Sequence, residues 1–263
     1  MKFTRFTFAA AAFAAVSATA FAAEEAKEDA PDYPELSVSI SGVYNDGNTE
    51  DKSGTAAIDY KNVIEDVGEV TAGADGTITK TTLKTTTTDS DGKTTTVKDE
   101  ETTAKNGQVF GKILFPVHDP FSVYLNSSLF ADEIADVDYR AIVGAGFAVD
   151  LYKTETATFR LEAGIAPMWE KIAGESEYYT MGRVAETAEY YFAGGAKVWE
   201  SFEYMPAFDD SDKYLINAEV GVESPLNDLL SLLFTVKDRY NSLPGDGHEK
   251  NDVCATVGVR VKL

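Results

Sequence analysis

Along residues 251–263 apolar and polar side chains alternate until the chain stops. Val253, Ala255, Val257, Val259, Val261 and Leu263 fall on one side, and Cys254, Thr256, Gly258, Arg260 and Lys262 on the other. Strand side chains project to opposite faces with period two, so the segment reads as a strand with one wholly apolar face. The pattern recurs upstream. At 136–151, Val137, Tyr139, Ala141, Val143, Ala145, Phe147, Val149 and Leu151 oppose Asp138, Arg140, Gly144, Gly146 and Asp150. At 156–172, Phe159, Leu161, Ala163, Ile165 and Trp169 oppose Arg160, Glu162, Gly164 and Glu170. At 212–223, Tyr214, Ile216, Ala218, Val220 and Val222 oppose Lys213, Asn217, Glu219 and Glu223. Alternation and turn residues together predict twelve strands, at 36–45, 52–62, 67–82, 98–115, 120–131, 136–151, 156–172, 178–192, 197–207, 212–223, 229–241 and 251–263.

An apolar face with no helix to cover it implies lipid, and runs of this length suit the ~9–11 residues a tilted strand needs to cross a bilayer. The connections alternate too. Tight turns fall near Asn62–Glu65, Val117–Asp119, Lys153-Thr154, Gly194-Gly195 and Pro225–Asn227. Longer loops fall at Asn45–Asp51, Leu83–Val97, Asp132–Ala135, Ala173–Glu177, Phe208–Ser211 and Ser242–Lys250. Short periplasmic turns and longer external loops are the pattern of an outer-membrane barrel. The predicted fold class is therefore all-β, an antiparallel transmembrane β-barrel of twelve strands. A soluble sandwich also alternates, but it would bury its aromatics mid-strand. Here Tyr44, Tyr60, Phe115, Phe121, Trp169, Tyr190, Phe192, Phe202, Tyr204, Tyr214 and Tyr240 gather near strand ends, as interfacial girdles do. Two acids, Glu186 and Glu200, fall on the apolar face of their strands and fit this reading badly. On the same register, Leu161→Arg is expected to impair assembly and Glu162→Gln to be mild.

Residues 1–22 have the layout of a signal peptide: Lys2 and Arg5, an apolar stretch from Phe6 to Ala18, and the small residues Ala20 and Ala22 around Phe21. Residues 23–35 form an acidic leader containing proline, and 36–263 form the barrel. The organisation implies export through a cleaved leader to the cell outer membrane, with outer-membrane lipid and the barrel assembly machinery as partners. The chain carries 23 basic and 44 acidic residues, net −21, which excludes nucleic acid as a partner. Cys254 is the single cysteine, so no internal disulfide forms.

Several segments in order resemble a known family. They are Gly47-Asn48-Thr49 after the first strand, Asp138-Tyr139-Arg140 leading into Gly144 and Gly146, Leu161-Glu162-Ala163-Gly164, and Arg239-Tyr240-Asn241-Ser242 before a Pro-Gly loop. The chain resembles the bacterial salt-induced outer-membrane proteins from roughly Ser39 to Leu263. That resemblance implies a twelve-stranded outer-membrane barrel, a domain of unassigned function and no catalytic residues. The chain departs from the pattern in an enlarged segment around Thr85–Lys98 and in ending on Leu263, where such barrels usually end on an aromatic.

The inner face is predicted to carry Asp59, Glu69, Asp75, Asp138, Arg140, Arg160, Glu162, Arg183, Glu189, Glu203, Glu219, Lys237, Arg239 and Arg260. This set is either a salt-bridged wall or the lining of a narrow hydrated pore whose acid excess favours cations. The function expected is narrow, cation-preferring passage or binding of small solutes. The alternative is a non-conducting structural or surface-interaction barrel that supports the envelope under osmotic or salt stress. Catalysis is not expected: His118 and His248 lie in separate connections, and no Gly-x-Ser-x-Gly occurs. Asp89-Ser90-Asp91-Gly92 with Glu100 loosely follows a calcium loop, but its glycine comes at the fourth position and Lys93 and Thr95 replace oxygen ligands. No cofactor and no metal are expected. The threonine-rich strands around Thr77–Thr88 and Thr94–Thr103 are expected to extend one hairpin beyond the membrane as a polar flap.

Overall fold

In the computed structural model, which describes residues 34–45, 49–65, 67–88, 94–245 and 247–263, the alternating segments form twelve antiparallel strands. They are β1 (Glu35–Asn45), β2 (Thr49–Ile64), β3 (Gly68–Thr88), β4 (Thr94–His118), β5 (Phe121–Asp132), β6 (Val137–Lys153), β7 (Ala157–Ile172), β8 (Glu175–Tyr191), β9 (Lys197–Pro206), β10 (Tyr214–Pro225), β11 (Leu230–Asn241) and β12 (Asn251–Lys262). Each strand pairs with its sequence neighbours, and β12 returns to β1 to close the barrel. At this seam Ser37–Gly42 pair with Val257–Lys262, and the Leu263 N–H donates to the Leu36 carbonyl. The expected leader 1–22, nearly all of 23–35, Gly47 and Asn48, and the Asp89–Gly92 turn lie outside the described residues.

The faces follow the alternation. Ile40, Ile58, Val109, Leu129, Val143, Phe147, Ile165, Val184, Phe234 and Val257 are exposed on the outer wall, an apolar surface suited to lipid rather than to water. Aromatics band it near both ends. Tyr204, Tyr214 and Tyr240 stack in sequence across β9, β10 and β11, with Trp169 against Tyr178 on β7 and β8. Tyr190 meets Phe192 edge-on near the opposite rim. Glu186 and Glu200 do take the outer-face register: Glu186 lies directly across from Leu161 and Phe202, and Glu200 from Ala188 and Val220, where Glu200 is nonetheless covered by its neighbours.

Three departures have local causes. A bulge between Val137 and Tyr139 turns Val137 into the barrel and leaves Asp138 exposed. The expected loop Ala173–Glu177 is a two-residue hairpin turn, with β8 starting at Glu175. Ala173 and Gly174 both take positive φ (50° and 84°), the backbone of the tight turns that match strand twist. The expected loop Leu83–Val97 is mostly strand: β3 and β4 stay paired as far as Thr88 and Thr94. There the barrel wall has already ended, because β2 leaves β3 at Leu83 and β5 leaves β4 at Asn106. Beyond Leu83 the hairpin therefore stands clear as a two-stranded ribbon, and at its base Lys80 meets Glu100 (2.8 Å) and Thr81 meets Thr103 (3.0 Å). Threonine supplies the β propensity such a ribbon needs.

Candidate functional site

The lumen is built by the polar parity of every strand, and its charges meet in layers. Near the end that carries the β3–β4 ribbon, Arg140 donates to Glu170 (2.8 Å), which also receives Lys213 from the β9–β10 connection. Both Glu170 and Lys213 are almost fully buried. Beside them Ile142, Met168, Met181, Met205 and Leu215 pack into an apolar shelf against the wall of β6–β10. Placing Ile142 and three methionines inside the barrel narrows it from one side only.

Below the shelf a charged bar crosses the lumen. Lys237 and Arg239 of β11 reach Asp75 of β3 at 3.5 and 3.8 Å, and Arg239 also donates to Gln108 of β4 (3.3 Å). These strands stand on well-separated sides of the barrel. Above the bar lies a cavity of about 370 Å³ lined by Thr55, Thr77, Thr79, Asn106, Asp132 and Asp252. Below it lies a chamber of similar volume, about 370 Å³. Asp75, Lys237 and Arg239 line both, so side chains with polar ends are what separates them.

One wall of the barrel beside this chamber is nearly dry. Glu162 is 2 % exposed and bonds both Lys112 and Arg183, the latter at 2.8 Å. Arg183 also donates to Glu203 (2.5 Å) and stands over the fully buried Tyr124 ring. Tyr124 fits because Gly146 and Gly164 face it: a Cβ on either would come within 2.8 Å of the tyrosine and nearer still to backbone. Lower in the chamber Arg260 joins Glu223 (2.6 Å) and Asp59 (3.4 Å), and Trp199 Nε1 donates to Glu219 (2.8 Å), which also faces Lys237 at 3.4 Å.

The floor is a second crossing. Lys61 of β2 lies 4.0 Å from Glu189 of β8, half the circuit away, and 3.9 Å from Glu69. Glu189 holds Lys197 (3.1 Å), while Arg160 ties Glu69 (3.3 Å) to Asp150 (2.6 Å). An ion pair that bridges opposite walls of a wet lumen is weak and screenable, unlike a packed plug.

The inner-face residues expected from alternation thus come together, with one correction. Asp138 sits outside, bonded at 2.8 Å to Lys171 on the same face as Trp169, because the bulge at Val137 shifts its parity. Lys61, Lys112, Asp150, Glu170, Lys197, Lys213 and Glu223 join the set. Strict parity marks Lys61 and Lys112 from Asp59 and Phe110, and the alternation at 212–223 already sets Lys213 on the polar face, although it lies in the β9–β10 connection. With these included, the acid excess of the inner face disappears. The two histidines end far apart: His118 closes β4 at one end of the barrel, and His248 pairs with Asp136 (3.1 Å) at the other. Among the described residues, no group of three or more His, Cys, Asp or Glu side chains is placed to hold a metal ion.

The family described as "Protein of unknown function, DUF481" matches residues 38–263, and the chain belongs to that family. No curated protein matches it. Among solved structures the NanC porin is similar in fold at 10% identity and a TM-score of 0.52, over 87% of this chain and 100% of that one. The KdgM porin in complex with disordered oligogalacturonate aligns at 9% identity and a TM-score of 0.45, over 86% of this chain and 99% of that one. The fold is thus that of a porin-like β-barrel.

Proposed function

For a member of a family whose function is unassigned, we propose an outer-membrane passage for small hydrated solutes, held narrow by ion pairs that cross its lumen. The observation that carries this reading is the floor: Lys61 and Glu189 meet from opposite walls at 4.0 Å, the limit of ion pairing, so the crossing is held by side-chain ion pairs rather than by a packed plug. The exposed apolar exterior and aromatic bands support placement in the outer membrane, and the leader at residues 1–22 supports export there. Selectivity is mildly cationic. The lumen wall is close to charge balance, and the bias comes from Asp132, Glu249 and Asp252 at the wide mouth and from the net charge of −21 on the whole chain.

The test is planar-bilayer conductance of the refolded protein. Wild type is expected to give small, cation-preferring events. The pair Lys61→Ser with Glu189→Gln is expected to enlarge them several-fold, and high salt to raise wild type toward the variant by screening. Silence from both, with folding shown by heat-modifiable gel migration, would favour the non-conducting barrel. The β3–β4 ribbon supports that second reading, since it is a polar surface beyond the wall that conduction does not use. Envelope support under osmotic or salt stress belongs to it, and rests on the resemblance to salt-induced proteins.

A further inference from the structure

The chamber holds two aromatic rings pressed flat against its walls by missing side chains. Trp199 of β9 covers Gly221 of β10 so closely that a Cβ there would fall 2.0 Å from the indole. Phe110 of β4 covers Gly73 of β3 in the same way, at 2.6 Å. With one face of each ring on glycine, the other is turned toward the chamber, and β4 and β9 stand on nearly opposite sides of the barrel. Between them the wall offers the hydroxyls of Ser39, Ser41, Ser201, Thr235 and Thr256.

A pyranose ring has flat faces of weakly positive C–H groups and an equatorial rim of hydroxyls. The negative π-face of an aromatic attracts the first, and paired ionic groups bond the second without needing a charge from the ligand. Glu219 is already fixed by Trp199 Nε1 at 2.8 Å, and Arg260 and Lys197 stand over the indole at 5.9 and 5.6 Å from its centre, so a sugar stacked there also meets two cations that can bond its hydroxyls. Each chamber cation has a carboxylate: Arg183 has Glu162 and Glu203, Lys237 has Asp75 and Glu219, Arg239 has Asp75, and Arg260 has Asp59 and Glu223. An acidic sugar would have to take a cation from one of these pairs, whereas a neutral one need not. The chamber, about 370 Å³, falls within the roughly 300–1,000 Å³ of ordinary ligand pockets, toward the small end.

We propose that this chamber binds a neutral saccharide, one ring stacked on Trp199 with Phe110 on the far side. The proposal rests on the reading of the lumen as a hydrated passage. Of the two tryptophans in the chain, Trp169 lies on the outer wall. In Trp169→Phe, Trp199 is therefore the sole indole reporter. Titrating that refolded protein with maltose should change its emission saturably, and sodium galacturonate should act at least tenfold more weakly. Adding Phe110→Leu, which keeps an apolar side chain and removes the ring, should raise the half-saturating maltose concentration about tenfold. Where that variant does not fold, calorimetric titration of Trp199→Leu with maltose replaces it, and the expected result is loss of binding. No saturable response, a galacturonate response equal to that of maltose, or undiminished binding without either ring overturns the proposal. Conductance without a sugar response removes the saccharide site alone; a sugar response without conductance supports the site and removes passage.

Discussion

Glu162→Gln is expected to destabilise the barrel by roughly 3–5 kcal/mol, the cost of breaking a buried ion pair from one side. Glu162 is the carboxylate between Lys112 and Arg183, and it is 2 % exposed. A neutral amide there leaves the buried Arg183 and the half-buried Lys112 beside one another, with Glu203 as the remaining acid for Arg183. Tyr124 then sits under an unbalanced pair of charges, since both cations face its ring. The urea midpoint for folding into detergent micelles, followed by the heat-modifiable gel shift, measures the cost. A loss under 1 kcal/mol would mean that water reaches this wall and screens the pair.

The second large effect separates two positions on one face of β7. Ile165→Arg is expected to cost roughly 2–4 kcal/mol, the penalty for a cation on the lipid face near the bilayer midplane. Ile165 is exposed at mid-strand, opposite Ala145 and Gly182, which offer no counter-charge. Leu161→Arg, four residues away on the same face, is expected to cost clearly less, because Glu186 lies directly across from it. The same urea measurement compares them. Equal penalties would show that Glu186 is not available on the outer wall.

The architecture was legible because period-two alternation is local, and both walls of a barrel impose it along the whole length of each strand. All twelve strands, and the outer-face register of Glu186 and Glu200, follow from it. What escaped depends on neighbours distant in sequence. The bulge at Val137 reverses the faces of two residues, turning Val137 in and Asp138 out, with nothing in the local pattern to mark it. Glu162 was expected to tolerate Gln because it shares a polar face; its burial depends on Lys112 and Tyr124, about forty to fifty residues earlier in the chain. The flat setting of Trp199 needs Gly221 on the next strand, a relation that only register supplies. The cross-lumen contacts of Lys61 with Glu189 and Arg239 with Gln108 depend on barrel width, which no single strand encodes.

The seam between β1 and β12 has a consequence for the order in which the barrel forms. Every other neighbouring pair is a hairpin of consecutive strands, so each can zip from its own turn. The seam instead joins the two ends of the chain through one of the shorter ladders in the barrel, Ser37–Gly42 against Val257–Lys262. Its loop-closure entropy is the largest in the molecule and is offset by few backbone bonds. It is thus the last joint to form on the way in and the first to part under strain. Until it closes, β1 and β12 are free edges that could pair with strands of other chains.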